Sequence, residues 1–140
     1  MILNFEIKGK AKAKQSFRIT RNGFKYTPKD IVEYANLVKI SFINSYPNWD
    51  IQTFKDKALK VQIDVYFSIP KAFSKQKHLK ALQGEIRPIV KPDCDNIAKN
   101  INDALNGIAY PDDKQITCLM VNKFYSDNER VVVRIEKITK

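Results

Sequence analysis

The residues best suited to chemistry in this chain are aspartates. Asp93, Asp95, Asp103, Asp112 and Asp113 fall within a short stretch of a basic protein. The chain carries 25 Lys and Arg against 15 Asp and Glu, a formal charge of +10; with those five set aside, 10 acids face the 25 basic residues. Carboxylate concentrated inside a positive field suggests a metal site facing a phosphate-rich substrate. Asp93-Cys94-Asp95 is a D-x-D, and Asp112-Asp113 is a second acidic pair on the loop beyond the following helix, so three or more carboxylates could meet at one point. Hard oxygen ligands of this kind suit Mg²⁺, with Mn²⁺ as the alternative; both keep several waters and use substrate phosphate as remaining ligands. Such an ion polarises a phosphoryl oxygen, generates hydroxide from bound water and neutralises charge on the leaving oxygen. Lys99, one turn after Asp95, reads either as a helical i,i+4 partner or as a group that stabilises charge on a pentacovalent transition state. One aspartate at a helix start is explained by capping and the helix dipole. Two separated by a single residue are harder to explain that way. D-x-D also occurs in glycosyltransferases and phosphatases, so the pattern alone does not name the reaction.

The elements that must hold these acids can be read from periodicity. After Asp95, Ile97, Ala98, Ile101, Ala104 and Leu105 project within an arc of roughly 120° at about 100° per residue. Asp95, Lys99, Asn102, Asp103 and Asn106 gather opposite, and Asn106-Gly107 supplies the stop. Upstream, residues 2 to 7 alternate as a strand ending at Gly9, and Phe17 to Tyr26 reads as a hairpin with Asn22-Gly23 as its two-residue turn. Thr27 as N-cap and Pro28 as first helical residue open a helix that packs through Ile31, Tyr34, Ala35, Val38 and Phe42 and stops before Pro47. Trp49 follows as a buried structural side chain. Leu59 to Ile69 is the clearest strand, Ser74 to Leu82 a short lysine-rich helix closed by Gly84, and Ile116–Tyr125 with Arg130–Ile138 a terminal hairpin. The class is α+β: one compact domain over residues 1–140, a mixed sheet with hairpins packed against two or three helices.

Charge and composition narrow the partners. A strongly basic chain is the electrostatic footprint of a nucleic-acid binder. Lys8, Lys10, Lys12 and Lys14 recur every second residue, so an extended chain puts them on one side. They form either a ridge that tracks phosphates or a solvated edge that discourages aggregation. Lys10, Lys12, Lys14 and Arg18 are the candidate DNA contacts. No apolar stretch is long enough for a membrane span and the start lacks a signal peptide's features, so a cytoplasmic protein with no membrane partner is expected. Cys94 and Cys118 are read as reduced thiols, too few for a disulfide framework or a zinc quartet. His78, alone among lysines, is read as a surface residue.

The run Lys91-Pro92-Asp93-Cys94-Asp95-Asn96-Ile97-Ala98-Lys99, then Asp103-Ala104-Leu105-Asn106-Gly107 and Asp112-Asp113-Lys114-Gln115-Ile116, resembles the signature of the RusA-type Holliday junction resolvases. The basic stretch after Gly9 and Tyr26-Thr27-Pro28 resemble that family's opening, although Lys-Ala alternation at residues 10 to 14 replaces its usual basic-proline start. The resemblance implies a homodimeric, Mg²⁺-dependent endodeoxyribonuclease of bacterial or prophage type, active in DNA recombination and repair. It would resolve four-way DNA junctions by paired symmetric nicks, leaving 5′-phosphate and 3′-hydroxyl ends. It implies Asp93, Asp95 and Asp113 as catalytic metal ligands and Lys99 as the catalytic-site lysine, with Asp112 and Asp103 in support and Cys94 turned away from the metal. The alternative is a non-catalytic basic nucleic-acid-binding protein whose acidic cluster is structural. A third reading, a D-x-D transferase for a nucleotide-sugar, needs more chain than 140 residues supply for both of its sites.

Overall fold

Strands whose apolar residues alternate must bury one face, and the helices between them supply the cover. The computed structural model describes residues 1–12, 18–26 and 28–139. Along the chain run β1 (Ile2–Lys8), β2 (Arg18–Ile19), β3 (Lys25–Tyr26), α1 (Lys29–Ser45), β4 (Leu59–Ser68), α2 (Lys75–Leu82), α3 (Cys94–Leu105), β5 (Ile116–Ser126) and β6 (Arg130–Lys137), with short 3-10 turns at Ile51–Phe54 and Asp113–Gln115. A four-stranded mixed sheet in the order β1-β6-β4-β5 carries the domain, and β2 pairs with β3 apart from it. Leu3, Phe5 and Ile7 register with Ile135, Val133 and Val131, which in turn register with Val61, Ile63 and Val65. These nine side chains form the sheet's buried face. Helices α1 and α3 lie together over that core, α1 through Tyr34, Val38 and Phe42, α3 through Ile97, Ala98, Ile101, Ala104 and Leu105, and Ile31 of α1 is buried as well. The α+β class and the single compact domain with a mixed sheet are therefore as the periodicity implies.

Three local expectations are corrected. The last two strands do not form a hairpin: β4 lies between them, parallel to β5 and antiparallel to β6. Two strand spacings are about 9.6 Å, and a link of three residues reaches about 13 Å, so Asp127–Glu129 can cross the end of β4. There Ser68 Oγ donates to the Glu129 carboxylate. Parallel pairing requires a long crossover, and α2 with α3 provides it. The hairpin turn is also displaced. Gly23 N donates to Thr20 O at 2.9 Å and Thr20 N to Phe24 O at 2.8 Å, so Arg21-Asn22 are central and Gly23, at φ 84°, takes the left-handed position after them. Finally, Pro28 is the N-cap rather than the first helical residue; its ψ of 143° is extended, and its carbonyl accepts from Ile31 N and Val32 N. Thr27 and Phe17 lie outside the described residues.

Other expectations hold. Trp49 Nε1 donates to Ala109 O at 2.9 Å and its ring packs against Phe54 and Tyr46, a structural role. Tyr46 also closes the free edge of β1, its hydroxyl accepting from Asn4 N and donating to Asn4 O. Ser74 caps α2 through Lys77 N, and Gly84 follows it at φ 82°. His78 sits at the surface, 3.1 Å from Asp127. Both cysteines are free thiols. No helix among the described residues is long and apolar enough to cross a membrane.

Candidate active site

The site is organised along α3. Asp93 is its N-cap by backbone geometry, yet its carboxylate makes no capping hydrogen bond. Capping therefore does not account for that side chain, which is exposed beside the positive end of the helix dipole. Asp93 and Asn96, one turn apart, line a cleft of about 590 Å³ whose other walls include Lys10, Lys12, Lys91 and Asp30. The alternation read in the sequence holds here: Ala11 turns inward, 5% exposed, and Lys10 and Lys12 flank the opening. What holds the basic segment against α3 is Asn100, whose Nδ2 donates to Lys12 O at 3.0 Å. Two of the expected DNA contacts thus share one cleft with an expected catalytic acid. Lys14 lies outside the described residues; Arg18 opens β2.

Asp95, Lys99 and Asp103 follow at four-residue intervals and are all exposed, so they mark an outward stripe of α3. None of the ion pairs among the described residues involves Lys99, so pairing within the helix does not explain it.

The second acidic pair stands at the other end of α3. Asp113 N donates to the Asn106 side chain at 3.2 Å, and Asn106 is the C-cap. Asp112 caps the following 3-10 turn: its Oδ1 accepts from Lys114 N at 3.0 Å, while its own N–H donates to Gln115 Oε1 at 3.1 Å. Gln115 Nε2 then donates to Phe54 O and Lys57 O, tying the loop to the chain ahead of β4. The backbone N–H of Lys114 holds the Asp112 carboxyl below the usual carboxylate range. Asp113 is pushed the other way by loss of solvent, by its hydrogen bond to Asp112 and by the charges of Asp112 and Asp103. Burial, with Asp113 and Asp103 nearby, likewise raises Tyr110, whose hydroxyl donates to Asn102 O at 3.1 Å.

The expected residues are therefore distributed rather than gathered. Asp93 lies in the basic cleft, Asp95 and Lys99 on the adjoining stripe, and Asp113 with Asp112 and Asp103 at the far end. Among the described residues no three His, Cys, Asp or Glu side chains come close enough to hold a metal ion. Mg²⁺ does not demand such a cage, because one or two carboxylates plus substrate phosphate are its usual complement. Asp93, whose carboxylate makes no capping hydrogen bond, and Asp95 two residues on, both exposed, supply two such carboxylates.

Three functional features escaped the sequence reading. Asn100 and Asn102 are buried, although Asn102 was expected on the polar side. They border the apolar arc of α3 on its two sides; the Asn100 side chain fastens the basic segment, and at Asn102 the main-chain carbonyl accepts from the Tyr110 hydroxyl. Gln115 was legible in principle, since Asp112-x-x-Gln115 has capping-box spacing. Lys91 joins the cleft from the residue before Pro92.

Comparison with known proteins bears on the family of this chain. A Bacillus subtilis (strain 168) relative named uncharacterized protein YqaN is 43% identical over 83 residues, which are 58% of this chain and 58% of the relative. A sequence model for the endodeoxyribonuclease RusA matches residues 6–136, a span that includes the basic segment, α3 and the acidic loop. With a match over nearly its whole length, the chain belongs to the RusA endodeoxyribonuclease family.

Proposed function

We propose that the protein is a structure-selective endodeoxyribonuclease that resolves four-way DNA junctions by metal-assisted hydrolysis of the phosphodiester backbone. The observation that carries this reading is the single cleft in which Lys10, Lys12 and Lys91 face Asp93. Ammonium groups there hold a DNA backbone by charge, next to a carboxylate that makes no capping hydrogen bond. Asp93 and Asp95 would hold Mg²⁺, or Mn²⁺ in its place. The bound ion supplies Lewis-acid activation of the phosphate and of water. Lys99, on the adjoining stripe, stabilises negative charge that develops on the phosphoryl oxygens.

Asp113 is the third catalytic acid of this reading, and its position bears on the working unit. Ten residues of helix separate Asp93 from Asp103 by about 15 Å, so Asp113 joins a metal held at the start of α3 only from another chain or after rearrangement. A two-fold homodimer meets that need, and it provides two sites for nicks placed symmetrically across a junction. The runner-up, a basic nucleic-acid binder with structural acids, draws on Asp112, whose carboxylate is engaged in a cap. Incubation with a labelled synthetic four-way junction, with and without Mg²⁺, separates them. Paired nicks that require the metal, with linear duplex largely spared, are expected. Binding without scission would leave the structural reading.

A further inference from the structure

Ile89 is 95% exposed, the most exposed of the large apolar side chains among the described residues, and Val90 beside it is 55% exposed. Their loop joins α2 to α3, and it is fastened on both sides of the tip. Pro88 is buried. Arg87 Nε donates to Lys123 O, and its guanidinium lies 4.1 Å from the Phe124 ring centre. On the other side the Lys123 ammonium donates to Val90 O. An isoleucine anchored in this way is held out into solvent by the fold, with no packing partner among the described residues to explain it.

Its surroundings indicate what it meets. Lys91 and Asp93, two and four residues on, line the basic cleft. Between residues 70 and 91 there are six Lys and Arg and one Glu. Two copies of so positive a segment repel each other across a two-fold axis, whereas a polyanion is drawn to it. Apolar side chains that enter DNA from a basic surface act as wedges, parting a base step and kinking the duplex.

We propose that Ile89 is such a wedge, entering the base stack of the junction arm held in the cleft while the lysines of α2 and Lys91 grip the flanking phosphates. This rests on the junction-nuclease reading above. It assigns the loop a task distinct from hydrolysis: recognising DNA whose stacking is already weakened, as at a strand-exchange point.

The test uses the full chain in EDTA and a four-way junction carrying 2-aminopurine at the crossover base pairs. Unstacking raises the fluorescence of that base. The wild-type protein should raise it several-fold on binding, Ile89→Ala should still bind with the same salt dependence but without the rise, and Ile89→Phe should retain the rise. An equal rise with Ile89→Ala overturns the wedge while leaving the nuclease reading intact. A change in sedimentation mass caused by Ile89→Ala overturns it in favour of a contact between copies. Failure of the wild-type protein to bind the junction overturns the nuclease reading and the wedge with it.

Discussion

If the cleft beside α3 is where DNA backbone lies, its three lysines must appear in the salt dependence of binding. Each phosphate contact releases counterion and contributes a slope of about −0.9 in log K against log salt on duplex DNA. Lys10, Lys12 and Lys91 line one opening, so replacing all three by alanine should flatten the slope by about 2.7. Between 50 and 200 mM salt, a four-fold range, the affinity of the wild-type protein should then fall about 40-fold further than that of the triple variant. Fluorescence anisotropy with labelled duplex and labelled junction in EDTA measures both slopes without cleavage. The loss should be similar on the two DNAs and independent of sequence, because phosphates carry no base information. Each single variant should account for about a third of it. An unchanged slope in the triple variant would refute the cleft as the DNA site and return these lysines to a solvated edge.

The other expectations are more local. Asp93→Asn, Asp95→Asn or Asp113→Asn should each abolish junction cleavage in Mg²⁺ while the urea midpoint stays near that of the parent, and wild-type cleavage by any one removes that residue from the site. In the metal-free protein, carboxyl NMR should show Asp113 titrating above Asp112, since solvent loss and like charges raise the first and the Lys114 N–H lowers the second. Asp103→Asn should bring Asp113 down, and the reverse order of the pair would contradict the geometry. Phe42→Ala empties a site that is 1% exposed and in ring contact with Phe5 and Tyr46, so urea unfolding should show a loss of about 3–5 kcal/mol. Gln115→Ala leaves Phe54 O and Lys57 O without their side-chain donor and should cost about 1–3 kcal/mol by the same assay, with cleavage reduced through a loosened acidic loop.

Local periodicity carried most of the fold and the identity of the candidate site. The apolar arc of α3, the alternation of β4 and the inward Ala11 between Lys10 and Lys12 each follow from residues a few positions apart, where backbone geometry alone decides which side chains share a face. The acids, the basic segment and the motif joining them were legible for the same reason: side-chain type and short spacing are properties of the chain itself. Strand order was not. β6 alternates as β4 does while β5 is β-rich without a clean alternation, and neither pattern specifies a neighbour, so only the assembled sheet shows β4 between them. Asn102 looked polar and outward, and became buried because Tyr110 folds back over the end of α3. The largest difference concerns the acids. Spacing in the sequence allows the D-x-D at Asp93 and Asp95 to converge with Asp112-Asp113, yet the α-helical rise carries the chain away from Asp93 before the loop containing Asp112 and Asp113 closes on Asn106. Sequence determined which carboxylates this protein possesses; the length of one packed helix decided that a single chain keeps them at its two ends.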